Sequence, residues 1–299
     1  LESCNPSGSY KDRFIEREFE HLLTAGCKRV IATSSGNTGA ALASHAARHG
    51  VQCAIFANAD APAGKLAQMR AHGATVVRVP GFAANPQITA DVFAVLREYA
   101  DVTGVPLIVS AYRYCPLGMA GVETISRELG EDFQHVFVPV GGGGLYAAVV
   151  RGFGSRVRVH AVQPAGCATV VDAWLRGSRE AAPAAAATAI SGLSVPMDID
   201  ATLALTRLYE CGGQGIAVTD EEVFEAQRRL LREEGIYCEP AGAAAFAGFC
   251  KADIPLGERA VCLVTGHGFK DPTSIDAAAA RWESPLVDSG DVRRFLDRC

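Results

Sequence analysis

Short apolar, β-branched runs alternate with helix-period segments along most of the chain. Between Arg29 and Val79 this pattern predicts a strand at Arg29–Thr33, a helix at Thr38–His49, a strand at Val51–Ala57, a helix at Ala63–His72 and a strand at Ala74–Val79. Further strands are expected at Pro106–Val109, Val136–Val140, Val157–Val162, Gly215–Val218 and Ala260–Val264, with helices between them. One of those helices opens with Thr219 and Glu222 at capping-box spacing. Repeated strand–helix alternation predicts an α/β architecture of mostly parallel, twisted sheets covered by helices. The irregular stretch Ala111–Leu117 is the expected crossing between two lobes, a smaller one over 26–110 and a larger one made of 1–25 and 111–299. The alanine-rich stretch 181–189 reads as a surface connection, and no internal repeat is present. A functional-looking motif within the first dozen residues has no element ahead of it, so a preceding stretch of chain is expected.

Composition narrows the class of partner. A chain of 299 residues that is 49% hydrophobic can bury a sizeable core. Its net charge of -5, with no basic run interleaved with aromatics, gives no electrostatic basis for a nucleic-acid groove, so small molecules are the expected partners. The apolar stretch Val136–Val150 is broken by Pro139 and four glycines and is too short to cross a membrane. Ten cysteines without a C-x-x-C pair, set singly in apolar segments, read as buried thiols in a reducing, cytoplasmic compartment, with no metal site.

In parallel sheets ligands bind beyond the carboxyl ends of strands, where helices begin. Three such junctions have unusual composition. After the first strand comes Ser34-Ser35-Gly36-Asn37-Thr38-Gly39, either a carboxylate cradle or an ordinary serine-rich helix cap. After Val136–Val140 come Gly141, Gly142, Gly143, Gly144 and Leu145. A flexible turn is the plain alternative there, but glycine is costly at the end of a buried strand, and the run suits backbone N–H groups closing on a phosphate. It is not a dinucleotide fingerprint, because the last position of that register is Tyr146, and no P-loop is present. After Ala260–Val264 comes Thr265-Gly266-His267-Gly268-Phe269-Lys270-Asp271-Pro272, in which Thr265 is either a donor to a ring nitrogen or a satisfied buried threonine. In the same stretch His267 reads as structural, and Lys270 with Asp271 as a solvated ion pair. A fourth feature is Lys11, one of only five lysines, placed where the turn Asn5-Pro6-Ser7-Gly8-Ser9-Tyr10 hands over to a helix. A lysine amine forms an imine once burial or a neighbouring cation lowers its pKa. Together the four features match pyridoxal 5'-phosphate holding an amino acid, with the aldehyde on Lys11, the phosphate on Gly141–Gly144 and the ring nitrogen at Thr265.

The stretches N-P-S-G-S-Y-K-D-R, S-S-G-N-T-G and V-T-G-H-G-F-K-D-P resemble, in order, motifs of the tryptophan synthase β-like, fold-type II pyridoxal phosphate enzymes, and most closely those of threonine synthases. The resemblance implies two α/β lobes with the cofactor in the cleft between them, and a homodimer. It implies that Lys11 carries the imine and Asn37 faces the cofactor's 3'-oxygen. Ser34, Ser35, Gly36, Asn37 and Thr38 would receive the substrate, with Ser35 and Thr38 on its carboxylate. Gly141, Gly142, Gly143, Gly144 and Leu145 would bind phosphate, and Thr265 the pyridine nitrogen. Two features depart from threonine synthases: the phosphate loop is all glycine, as in the serine and threonine dehydratases, and Ser110–Tyr114 keeps only the serine and Arg113 of an asparagine-rich segment that helps hold the substrate's own phosphate. Arg113 stays a candidate for an anionic leaving group or side chain. The expected reaction is β- or γ-elimination or replacement on a small hydroxylated or O-activated amino acid, with Lys11 as both anchor and base. A serine or threonine dehydratase is the alternative within the class. A non-catalytic sensor of an amino acid or of the cofactor is the alternative outside it, opposed by the intact Lys11.

Overall fold

The computed structural model describes residues 1–297 apart from 62, 84, 131, 155, 281 and 283. Among the described residues, eight parallel strands form two four-stranded sheets. In the first, β1 (Arg29–Thr33), β2 (Gln52–Asn58), β3 (Thr75–Val79) and β4 (Leu107–Ile108) take the order β3-β2-β1-β4. In the second, β5 (His135–Pro139), β6 (Arg158–Pro164), β7 (Gly215–Val218) and β8 (Ala260–Cys262) take the order β7-β6-β5-β8. Each sheet therefore begins with an inner strand whose neighbours lie on opposite sides. The carboxyl ends of β1 and β5 are topological switch points, where the following loops diverge and leave a crevice.

Among the described residues the α-helices are α1 (Lys11–Thr24), α2 (Asn37–His49), α3 (Ala63–Ala71), α4 (Pro86–Thr103), α5 (Pro116–Val122), α6 (Thr124–Leu129), α7 (Gly144–Phe153), α8 (Thr169–Leu175), α9 (Ala201–Cys211), α10 (Asp220–Glu233), α11 (Pro240–Lys251), α12 (Pro272–Ala279) and α13 (Val292–Leu296). The Thr219–Glu222 capping box forms at the start of α10. The largest core cluster joins Phe14, Phe19, Val30, Ile108, Met119, Val136 and Tyr146, so one apolar mass underlies strands of both sheets. Against it α1 lies very close to α5: a Cβ on Gly118 would come within 2.6 Å of the Phe14 ring, and one on Gly121 within 2.3 Å of the Arg13 carbonyl oxygen. Gly118 N–H also donates to the buried Glu18 carboxylate at 2.9 Å. These contacts fix α1, and with it Lys11 at its first position.

Strand positions agree with the hydrophobic pattern to within two residues, and the one informative difference is at β8. It ends at Cys262 rather than Val264 because the chain leaves the sheet to bond the N-terminal loop: Ser3 N–H donates to Val264 O and Tyr10 N–H to Thr265 O, each at 3.1 Å. The nine described cysteines are all free thiols; Cys115, Cys167, Cys211 and Cys238 are buried, whereas Cys4 and Cys250 are exposed, which corrects the expectation of uniformly buried thiols. Among the described residues no group of His, Cys, Asp and Glu is arranged to hold a metal ion, and no helix is long and apolar enough to cross a membrane.

Candidate active site

The loop before Lys11 is stitched to the loop after β8. Besides the Tyr10–Thr265 bond, His267 N–H donates to Gly8 O at 2.9 Å, and Ser9 bridges Gly266. Gly8 has φ +87, and a Cβ there would meet the Phe269 ring at 2.6 Å, so the two loops approach as closely as they do only through glycine. Asp12 closes the turn from inside, accepting from Ser7 N–H at 3.0 Å and Ser7 Oγ at 2.8 Å. The motifs around Lys11 and Thr265, at opposite ends of the sequence, thus form one surface. Lys11 Nζ donates to Ser110 Oγ at 2.7 Å and lies over the Tyr10 ring at 4.6 Å. Among the described residues no carboxylate forms an ion pair with it, so the amine is held by a neutral hydroxyl.

Beyond β5 the tetraglycine loop turns into α7. Gly142 O accepts from Asp200 N–H at 2.8 Å, while the N–H groups of Gly142, Gly143, Gly144 and Leu145 meet no protein acceptor among the described residues. Gly143, Gly144 and Leu145 are buried. Buried amides are nearly always paired, so a row of open donors at the positive end of a ten-residue helix calls for an anion. Gly143 has φ +98, and a Cβ on it would lie 2.4 Å from Asp200 O, so the loop admits no side chain at that point.

At the other switch point Ser34 Oγ accepts from Gly36 N–H at 3.2 Å and Gly39 N–H at 2.8 Å, which commits it to starting α2. Ser35 Oγ accepts from Asn58 N–H at 2.6 Å, tying the loop to β2. The N–H groups of Asn37 and Thr38 stay open among the described residues, a second anion cradle at a helix N-terminus. Asn37 Nδ2 donates to Glu239 Oε1 at 2.5 Å, and Asn37 Oδ1 is buried without a partner. Thr265 Oγ1 is buried, with only a long 3.5 Å contact to Ala241 O, so its proton is available to an incoming acceptor. Arg113 is exposed: its guanidinium lies 5.9 Å over the Tyr114 ring, and its backbone N–H faces inward instead. His267 packs against Phe269 and Tyr237 and accepts from Phe269 N–H at 3.3 Å, in keeping with a structural role.

Four polar side chains, Glu239, Lys65, Gln68 and Lys270, form the floor, and of these the sequence singles out only Lys270. Glu239 pairs with Lys65 Nζ at 3.0 Å, and both side chains are almost wholly buried. A Cβ on Gly266 would lie 2.0 Å from Glu239 Oε1, which places this carboxylate directly against the Thr265–His267 loop. Lys270 is the clearest correction. It is fully buried rather than solvated: Nζ donates to Gln68 Oε1 at 2.8 Å, and Gln68 Nε2 donates to Ser7 O at 2.9 Å. Burial pushes the Lys270 amine down to about 8, partly offset by the Glu239 and Asp12 carboxylates. Asp271 turns the other way and accepts from Ser274 N–H at 3.2 Å at the start of α12. The only sequence signal for these buried lysines was their rarity.

The donor set fits pyridoxal phosphate: open backbone amides for a phosphate, a second pair for a carboxylate, a primary amine, the Asn37 side-chain amide with a second N–H beyond its bond to Glu239, and a hydroxyl with a free proton. Comparison with known proteins agrees. The family model described as pyridoxal-phosphate dependent enzyme matches residues 1–266. The threonine synthase of Methanocaldococcus jannaschii is 33% identical over 318 residues, an alignment spanning 99% of this chain and 76% of that protein. The threonine synthase of a Synechocystis strain is 34% identical over 287 residues, spanning 91% and 71%. Among solved structures, a pyridoxal 5'-phosphate-dependent aspartate racemase superposes with a TM-score of 0.77 at 24% identity, covering 89% of this chain and 82% of the other, a likeness of fold. The T.th. threonine deaminase superposes with a TM-score of 0.73 at 26% identity, covering 89% and 85%.

Proposed function

This chain belongs to the pyridoxal-phosphate-dependent enzymes, and from that premise we propose that it catalyses β- or γ-elimination or replacement on a small hydroxylated or O-activated amino acid, in the manner of the threonine synthases it resembles. The observation that carries this reading is the pair of open amide cradles at the starts of α2 and α7, both tied to the Lys11 loop. One is linked through Asn37, Glu239 and Gly266, the other through Ser110, whose carbonyl oxygen would lie 3.6 Å from a Cβ on Gly144.

The N–H groups of Gly142–Leu145 would hold the cofactor's phosphate, Lys11 Nζ its aldehyde carbon, Asn37 Nδ2 its 3'-oxygen and Thr265 Oγ1 its pyridine nitrogen. When bound, pyridoxal phosphate supplies an aldehyde for the substrate's amino group and a ring that draws electrons from the α-carbon. Asn37 and Thr38 N–H orient the substrate carboxylate. Lys11 Nζ would take the proton from the α-carbon as general base, with Ser110 Oγ, which accepts from it at 2.7 Å, holding it in place. Thr265 offers a neutral hydroxyl where a carboxylate would keep the ring nitrogen protonated, which favours loss of a leaving group over transamination. A serine or threonine dehydratase is the second reading, favoured by the all-glycine loop and by the likeness to threonine deaminase.

Reconstitution with pyridoxal phosphate tests the proposal. A visible absorption band, and a borohydride-fixed label that maps to Lys11 and is lost in Lys11→Ala, are expected. Spectra with serine, threonine, O-acetylserine and O-phosphohomoserine then separate the two readings by whether a carbonyl product or a replacement product appears. A protein that takes up no cofactor would fit a sensor of the free amino acid and end the catalytic reading.

A further inference from the structure

Beneath the site, Glu239 makes a pairing that stability alone does not explain. It stands at the N-cap of α11, where an acidic side chain ordinarily faces the open N–H groups of the first turn, yet its carboxylate makes no such bond. It turns away from its own helix, pairing through Oε2 with Lys65 Nζ at 3.0 Å and accepting through Oε1 from Asn37 Nδ2 at 2.5 Å. Its backbone N–H donates to Gly266 O at 3.0 Å, which fixes the point from which the carboxylate reaches. The Lys65 and Glu239 side chains are 3% and 2% exposed. Taking both charges out of water offsets most of their attraction, and apolar residues of similar volume often serve as well. A pair kept on those terms calls for a role besides holding the fold.

Asn37 shows what the pair decides. A side-chain amide has nitrogen on one side and oxygen on the other, nearly equal in shape and opposite in hydrogen-bonding sense. Only the nitrogen can donate to a carboxylate. With Glu239 paired to Lys65, one Nδ2 N–H is committed to Oε1 and a second is left over, while Oδ1 is buried without a partner. The inverted amide would set oxygen against oxygen. We propose that Glu239, held by Lys65, is a positioning residue that fixes the polarity of the Asn37 amide, so that this side chain offers the site a donor and not an acceptor. What that donor meets, the cofactor's 3'-oxygen, rests on the reading above; how the amide is held does not.

The full chain is titrated with pyridoxal phosphate, following the visible band, as wild type, Asn37→Ala, Glu239→Gln and the double variant. Lys65 claims the oxygen of a glutamine at 239, which turns the glutamine NH2 toward Asn37 and inverts its amide. Asn37→Ala and Glu239→Gln should each weaken cofactor binding by at least about tenfold and move the band in the same direction, while the double variant stays within about threefold of Asn37→Ala. A Glu239→Gln variant that loses stability without moving the band, or whose effect multiplies that of Asn37→Ala, overturns the proposal. Asn37→Asp gives a second measurement that needs neither the glutamine variant nor the cofactor. It sets a carboxylate against the Glu239 carboxylate, so it should unfold at lower denaturant than Asn37→Ala at neutral pH, although an acidic residue ordinarily favours a helix start. Equal or greater stability of Asn37→Asp overturns the proposal whether or not Glu239→Gln folds. A wild type that shows no cofactor band ends the functional reading instead, and the Asn37→Asp comparison still decides how the amide is held.

Discussion

Gly143→Ala perturbs the phosphate cradle at its tightest point. The residue has φ +98, where an alanine costs about 1–2 kcal/mol. Its Cβ would also lie 2.4 Å from Asp200 O and 2.7 Å from Asp200 C, backbone atoms that no rotamer change removes, so the loop must shift at a further cost of about 1–3 kcal/mol. The sum is about 2–5 kcal/mol. Gly50→Ala is the matched control: Gly50 is left-handed at φ +66 but a Cβ there meets nothing within 4 Å, so only the backbone cost of about 1–2 kcal/mol applies. Denaturant unfolding of the two variants without cofactor should therefore differ, with Gly143→Ala the less stable. A shifted loop also misaims the N–H groups of Gly142–Leu145, and a loss of about 1.4 kcal/mol or more in cofactor binding means at least a tenfold weaker Kd by absorbance titration. If Gly143→Ala matches Gly50→Ala in both unfolding and cofactor affinity, the loop is not the close-fitting anion site described here.

Two further outcomes follow from the buried floor. Glu239→Ala leaves Lys65 buried without its partner and should destabilise the chain by about 3–5 kcal/mol, whereas Glu210→Ala, in the solvent-facing pair with Arg207, should cost no more than about 1 kcal/mol; similar midpoints in chemical denaturation would contradict the buried pair. Lys270 titrates near 8 when folded and near 10.5 when unfolded, so between those values the unfolded chain holds the extra proton and this residue makes stability rise with pH, by at most about 1.4 kcal/mol per pH unit. Lys270→Met should flatten that rise, as read from denaturation midpoints at pH 8 and pH 10 against the wild type.

Much of the fold was legible in the chain because a buried parallel strand is a short apolar run and its crossover helix has a different period. The pattern located all eight strands, and the glycine loop and the S-S-G-N-T-G stretch fell at the carboxyl ends of β5 and β1, the first strands of the two sheets. Lys270 departs from its sequence reading for a physical reason. Beside Asp271 it has the local look of a surface pair, and only the approach of Gly8, Phe269 and Gln68 shows that the lysine turns inward while the aspartate caps α12. Glu239 and Asp200 were likewise silent, since an acidic residue near the start of a helix is ordinarily a solvated cap.

The sequence by itself determined the elements, the residue types at strand ends and the chemistry they share: a scarce lysine, a glycine run, a hydroxyl-rich turn and a threonine. These are local properties, set by side-chain period and backbone freedom. Which groups meet was decided by tertiary structure. The bond from Tyr10 to Thr265 joins the two ends of the chain, Ser110 takes the Lys11 amine, and Asp200 fills the amides of Tyr112 and Arg113. Each of those pairings spans residues far apart along the chain, so it depends on how two sheets share one core and not on any short stretch of amino acids.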